Sequence, residues 1–119
     1  MILADTSVWI AHFRAPDAGL MARLDAEELL GHPFVIGELA MGNLSQRSAT
    51  LQLLGELPKA VVASHEEVMN LVERLRLTGL GVGYIDAHLL ASTRLTPGAR
   101  LWTGDQRLGA VAARLGVQA

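Results

Sequence analysis

The sequence contains no cysteine, which excludes disulfide bonds and thiolate metal ligands. It also lacks any apolar run near the ~20 residues that a membrane-spanning helix requires. The first apolar segment is Met1–Ala4, and it has no basic region before it of the kind that begins a secretory signal. We therefore expect a cytoplasmic protein that has no secretory signal and does not insert into a membrane.

Positive charge is also scarce, since the chain has a net charge of −2 and a pI near 6.0. Nucleic-acid-binding domains are usually basic, so the overall charge gives no general attraction to RNA or DNA. Nine of the ten basic residues are arginines, however, and a group of arginines can bind phosphate on a mildly acidic protein. Composition thus leaves the partner open.

Hydrophobic residues are abundant, at 50% of the 119 residues. This length and content suit one domain covering residues 1–119. Short apolar segments alternate with amphipathic ones along the chain, which is typical of strands alternating with helices. We predict an α/β fold with a small parallel sheet flanked by helices on both faces.

The individual elements are predicted from apolar periodicity and from glycine and proline breaks. Strands are expected over 1–4, 60–63 and 99–103, and residues 34–36 are strand-like before a helical segment. Glycines at 79, 81 and 83 indicate a loop. Helices are expected after Asp5, capped by Thr6 or Ser7, and over 20–30, 51–57, 65–78, 84–95 and 106–115.

Two aspartates follow predicted strands, which is where ligands bind in parallel α/β sheets. Asp5 follows the first strand, and Asp105 follows the last one after Thr103 and Gly104. Each aspartate taken alone is explained as well by capping of the next helix. Their similar positions make a shared site a second interpretation.

Two further acids lie in apolar surroundings. Glu38 is enclosed by Val35, Ile36 and Leu39, and Asp86 precedes Leu89 and Leu90 by one helical turn. Carboxylates are rarely buried unless they are paired or bound to metal. Glu38 taken alone is explained equally well by a solvent-facing position on an amphipathic helix.

If the four acids converge, their repulsion must be offset, because two charges ~4 Å apart cost about 4 kcal/mol at an effective dielectric of 20. Protonation or a divalent cation would offset it. An all-oxygen ligand set favours Mg²⁺, with Mn²⁺ as a substitute, over zinc.

The order of these motifs resembles the PIN-domain family, and within it the VapC-type toxins of toxin–antitoxin pairs. The resemblance spans nearly the whole chain. It rests on Asp5-Thr6-Ser7, Val35–Leu39 with Gly42, Asp86–Ala91 and Leu101–Leu108.

The resemblance implies a metal-dependent endoribonuclease, usually a homodimer, that a co-expressed VapB-like antitoxin inhibits. The family's four acids match Asp5, Glu38, Asp86 and Asp105, and Thr103 matches a polar residue near the metal. Some relatives carry a further acid where this chain has residues 106–108 without one, which favours a single metal position.

The mechanistic hypothesis assigns a role to each residue. Asp5 and Asp86 are the principal metal ligands, Asp105 binds directly or through water, and Glu38 positions a water or acts as general base. Thr6, Ser7 and Thr103 are expected to hydrogen-bond these carboxylates, although capping explains Ser7 at least as well.

Alternative interpretations stay open at this point. A PIN-like nuclease acting on DNA would need the same acids. A phosphoacceptor or interaction module has a similar architecture but needs a late lysine, and the single lysine, Lys59, lies in mid-chain. Arg47 and Arg107 are candidate phosphate contacts, although an exposed helix face explains each of them equally well.

Overall fold

Three short strands and seven helices make up the fold, and the computed structural model describes all residues 1–119. None of the helices is long and apolar enough to cross a bilayer. In chain order the elements are β1 (Ile2–Ala4), α1 (Thr6–Arg14), α2 (Ala18–Asp25), β2 (Leu29–Leu30), α3 (Pro33–Ala40), α4 (Arg47–Glu56), α5 (His65–Arg74), α6 (Tyr84–Leu95), β3 (Arg100–Trp102) and α7 (Gln106–Arg114).

The sheet is parallel, with strand order β2-β1-β3, so the first strand of the chain is the central one. Leu3 pairs with Leu30 on one side and with Leu101 on the other. Because Ala4 pairs with Trp102, strands β1 and β3 end at the same level. The chain segments that follow these two strands therefore begin side by side at one edge of the sheet.

One hydrophobic cluster of 25 buried residues fills the interior. Leu3 and Leu101 from the sheet and Leu90 from α6 are fully buried in it. Helix α6 is the most buried helix, with every residue from Ala87 to Thr93 buried. The predicted α/β fold is confirmed, and its core fixes the positions of β1, β3 and α6.

The region between residues 20 and 40 differs from the prediction. The predicted helix over 20–30 ends at Asp25, and Leu29 and Leu30 form strand β2 instead. Glu27 has a positive φ of 57°, which breaks the helix before the two leucines pair with β1. Residues 34–36 are helical rather than strand-like, because Pro33 starts α3 and His32 caps it by accepting the amide of Phe34.

The predicted strand over 60–63 is absent. This segment leaves the sheet after a single bridge between Gly31 and Lys59, next to which the Ala60 amide donates to the Gly31 carbonyl at 3.0 Å. The amide of Val61 then donates to the Thr96 hydroxyl rather than to a strand. Ala60 and Ala63 are buried, so the apolar pattern reflects core packing of an extended segment.

Candidate active site

The four predicted acids line a single pocket of about 170 Å³. Asp5 enters it directly after β1, and Asp105 enters it two residues beyond Thr103, after β3. Glu38 reaches it from α3 and Asp86 from the first turn of α6. The remaining lining residues are Thr6, Ser7 and Leu89, of which only Leu89 was not singled out from the sequence.

Asp5 is the most buried of the four acids, with 6% of its surface exposed. Its Oδ1 accepts hydrogen bonds from the Ser7 hydroxyl at 2.5 Å and the Val8 amide at 3.2 Å, and its Oδ2 accepts one from the Thr103 hydroxyl. Asp5 is therefore the N-cap of α1, and the prediction that Thr6 or Ser7 caps this helix is wrong. Its extended backbone, with ψ of 177°, lets the carboxylate reach the third amide of the helix.

A hydrogen-bond network joins the ends of β1 and β3 through Asp5. The Ser7 hydroxyl, which donates to Asp5, accepts from the Gly104 amide at 3.0 Å. The Thr103 hydroxyl, which also donates to Asp5, accepts from the Asp105 amide at 3.0 Å. Both hydroxyls thus fix the Asp5 carboxylate relative to the backbone that carries Asp105.

Glu38 and Asp105 are exposed and are each held by one donor. Glu38 Oε1 accepts from the Thr6 hydroxyl at 3.3 Å. Asp105 Oδ1 accepts from the Leu108 amide at 3.0 Å and so caps α7. In both side chains the second carboxylate oxygen has no hydrogen-bond partner within the protein.

Asp86 is half-buried, and its Oδ2 accepts from the amide of Gly83 at 3.2 Å. Burial raises the pKa of Asp86 above its ordinary value of 3.8; the Gly83 amide opposes this rise, and the charges of Asp105 and Asp5 add to it. The Gly83 contact was not foreseen, although an acid three residues into a helix commonly bonds the amide of the cap residue.

The residues present fit a hard divalent cation by their chemistry and their charge. All four acidic groups offer oxygen atoms, as Mg²⁺ and Mn²⁺ prefer. No basic side chain neutralises them, because the single ion pair of the protein joins Arg23 and Glu28 elsewhere. In this conformation, however, no three of these groups are positioned together as ligands of one ion. The fit therefore rests on uncompensated negative charge and oxygen donors rather than on a formed ligand cage.

Comparison with known proteins identifies the family. A family model described as the PIN domain matches residues 2–114. The chain belongs to the PIN-domain family. Two curated relatives, both named Ribonuclease VapC32 and from two strains of Mycobacterium tuberculosis, are each 53% identical to it over 117 residues. These matches cover 98% of this PIN domain and 94% of each relative, and they confirm the predicted resemblance to VapC-type PIN domains.

The two arginines considered as phosphate contacts have different environments in this PIN domain. Arg47 donates to the carbonyl oxygens of Ala40 at 2.6 Å and Gly42 at 3.2 Å, so its guanidinium caps the end of α3. Arg107 makes no hydrogen bond or ion pair with the protein, and its side chain packs on the backbone of Gly81. Only Arg107 is free to bind a ligand without breaking a contact.

The histidine next to the acids in sequence is structural, as its place two residues after Asp86 indicates. His88 is buried, packs edge-on against Phe34 and Tyr84, and bonds the Tyr84 hydroxyl at 2.8 Å through Nε2. His65 bonds the same hydroxyl at 2.6 Å. Burial, with a smaller contribution from His65, lowers the pKa of His88, which keeps this ring neutral beside the PIN-domain pocket.

Proposed function

We propose that this PIN domain is a metal-dependent endoribonuclease that acts as the toxin of a VapBC-type toxin–antitoxin pair. Two relatives that share 53% of their residues with it are named ribonucleases, and they match almost from end to end. Its pocket contains acids of the kind that nucleic-acid hydrolysis with a metal requires.

The observation that carries the proposal is the convergence of Asp5, Glu38, Asp86 and Asp105 without a basic partner. Structural aspartates and glutamates are normally paired with a cation or exposed singly. Four of them line a pocket of about 170 Å³. Burial raises the pKa of Asp86, and the charges of Asp105 and Asp5 add to this rise. Such an arrangement costs stability and is best explained by a role for the cation that it attracts.

Asp5 and Asp86 are the proposed principal ligands of Mg²⁺, for which Mn²⁺ can substitute, and Asp105 binds directly or through water. When bound, the metal supplies a Lewis acid that offsets the charge developing on the phosphate. The hydroxyls of Ser7 and Thr103 fix the orientation of Asp5, because both donate to its carboxylate. Asp86 must lose its proton before it binds a cation. Because its pKa is raised, it keeps this proton to a higher pH than an ordinary aspartate.

Glu38 is the proposed group that positions the attacking water and receives its proton. Its Oε1 accepts from Thr6, while its Oε2 has no partner in the protein. The water oxygen forms a bond to phosphorus, one phosphate ester bond breaks, and the departing oxygen takes up a proton from solvent water. Thr6 holds the side chain toward the pocket during this step.

The antitoxin and the homodimer are proposed as partners on the basis of the family. A groove of about 380 Å³ shares Glu38 with the acidic pocket and is lined in part by Ile10 and Phe13. Both side chains are exposed, which provides an apolar surface next to the acids. Co-purification with the product of a neighbouring gene and sedimentation of the free protein test these two partners separately.

A cleavage assay tests the proposed activity. The purified protein should cut RNA in Mg²⁺ or Mn²⁺, and EDTA should stop the reaction. Asp5→Asn and Asp86→Asn should each abolish cleavage. Asp17→Asn is the matched control, because Asp17 caps α2 as Asp5 caps α1 but lies outside the pocket. Full activity in EDTA would refute the proposal, and cleavage of single-stranded DNA alone would favour a deoxyribonuclease.

A further inference from the structure

The side chain of Arg107 connects the two segments that present Asp105 and Asp86. Arg107 lies in the first turn of α7, two residues after Asp105. Its Cδ, Nη1 and Nε lie at 2.5, 2.8 and 3.1 Å from the place a Cβ of Gly81 would occupy. Gly81 belongs to the loop 79–83, whose last residue donates its amide to Asp86.

Gly81 leaves room for the side chain of Arg107 that any residue with a Cβ would fill. Its φ of +79° is a left-handed conformation that side chains disfavour, and the missing Cβ leaves the space that Arg107 fills. The side chain of Arg107 is exposed, and its Cδ, Nε and Nη1 lie against the backbone of Gly81. Such packing reduces the conformational entropy lost when a ligand binds.

The charge of Arg107 is not used within the protein. Arg47, Arg100 and Arg114 donate to backbone carbonyls, and Arg23 pairs with Glu28. Arg107 has neither kind of partner, and the same is true of Arg14, Arg74, Arg76 and Arg94; of these five, only Arg107 lies within two residues of a pocket acid, Asp105. An acidic pocket repels a polyanion, so a nucleic acid approaching it gains from a cation on a segment that adjoins the acids. Guanidinium also matches the geometry of phosphate through paired hydrogen bonds.

We propose that Arg107, packed against Gly81, binds a backbone phosphate of the RNA next to the one that is cut. This inference rests on the proposed ribonuclease function and adds a substrate-binding residue to it. The contact is independent of base identity, because a phosphate carries no sequence information. Arg107 therefore sets affinity and register rather than sequence preference.

Binding of a fluorescently labelled stem-loop RNA tests the inference, measured by anisotropy in Mg²⁺ with Asp5→Asn as the uncut parent. Arg107→Met retains an aliphatic side chain over Gly81 but removes the charge, and Arg107→Lys retains the charge. We expect Arg107→Met to weaken RNA binding about tenfold. The affinity of Arg107→Lys should remain within about threefold of the parent. Arg107→Met should also make the slope of log affinity against log salt concentration shallower by about 1.

The control is Arg94→Met, which removes the same charge eight residues further along α6 than Asp86, about 12 Å away along the helix axis. It should leave affinity and salt slope unchanged. Parent-like binding by Arg107→Met, equal losses in Met and Lys, an equal loss in Arg94→Met, or no RNA binding by the parent would each overturn the inference. Cleavage by the wild-type protein is measured alongside: if RNA is cut while Arg107 has no effect, only this inference fails, whereas an absence of cutting refutes the proposed function.

Discussion

Asp5 combines two roles that sequence analysis treated as alternatives. Its Oδ1 caps α1 through the Val8 amide, and its Oδ2 is held by Thr103, so capping and membership of the pocket occur in one carboxylate. The capping bond needs an oxygen but no charge, whereas cation binding needs the charge. The two roles can therefore be separated by substitution.

Asp5→Asn should abolish metal-dependent cleavage but keep the helix cap, since asparagine is an equally good N-cap. Its NH2 group cannot accept from Thr103 as the second carboxylate oxygen does, so the thermal midpoint should fall slightly. Asp5→Ala should also be inactive but should lose about 1 kcal/mol or more of stability, because the cap is removed. Cleavage assays and thermal denaturation of both variants check this. A loss of stability in the asparagine variant as large as that of Asp5→Ala would contradict the separation of the two roles.

Asp86 should make the metal-free protein less stable as the pH rises. Its folded pKa lies above the ordinary 3.8, so the folded state holds this proton more tightly than the unfolded chain. Its contribution to stability is thus present in acid and is lost as pH rises through the raised value. Asp86→Asn should consequently raise the thermal midpoint at pH 7 in EDTA. An unchanged or lower midpoint would contradict this.

At the scale of elements, the loop 79–83 links the stability of the α6 start to the position of Arg107. Gly79 and Gly81 both have positive φ, but only Gly81 has a neighbour where a Cβ would lie. Gly79→Ala and Gly81→Ala should each cost about 1 kcal/mol for the strained backbone. Only Gly81→Ala should also weaken RNA binding, because it displaces the guanidinium. Denaturant unfolding and RNA titration distinguish the two effects.

The sequence predicted the helices with clear periodicity and the strands β1 and β3, but it missed strand β2. Helix α6 has the predicted bounds, since its apolar residues and flanking breaks are local signals. Strand β2 has two residues and exists only because Leu29 and Leu30 pair with β1. Nothing within an apolar pair of leucines distinguishes such a strand from the end of a helix.

The candidate site, like the fold, was predicted in part from the sequence. Four acids placed after strands or in apolar segments could be expected to meet, because parallel strands end at one edge. Their hydrogen-bond partners could not all be assigned. The capping role of Asp5 depends on its backbone angles, and the contact between Arg107 and Gly81 joins residues 26 positions apart. Such contacts follow from the fold rather than from local sequence.

At the scale of the whole molecule, a buried histidine should set the response to acid. His32 is 1% exposed, accepts the Phe34 amide through Nδ1 and bonds Ser92 Oγ at 2.9 Å through Nε2, which ties α3 to α6. Burial, with a smaller effect of His88, lowers the pKa of His32 from 6.5 to about 4. The unfolded chain therefore binds this proton first as pH falls.

Stability should accordingly fall between pH 6.5 and 4, by about 3 kcal/mol from His32 alone. His32→Asn keeps an acceptor for the Phe34 amide. This variant should be less stable overall, but its stability should change less with pH over this range. His12→Asn, outside the contact with Ser92, should retain the wild-type slope. Thermal midpoints measured across the range test this, and a wild-type slope in His32→Asn would show that another group is responsible.

The uncompensated acids also make overall stability depend on divalent cations. A ligand that binds only the folded state stabilises it, by about 2.7 kcal/mol at 100 times its dissociation constant. For a chain of this size we expect Mg²⁺ or Mn²⁺ at that level to raise the thermal midpoint on the order of 10 °C. Asp17→Asn should respond like the wild type, whereas Asp5→Asn and Asp86→Asn should not respond.

Sodium chloride at matched ionic strength separates specific binding from general screening of the acids. If screening alone relieves their repulsion, salt and Mg²⁺ will raise the midpoint equally, and the pocket is not a metal site. If the pocket binds the cation, Asp86→Asn will start above the wild type in EDTA at pH 7 and fall below it once metal is added. This crossing is the expected behaviour of a site whose charges destabilise the empty protein because they are arranged to hold an ion.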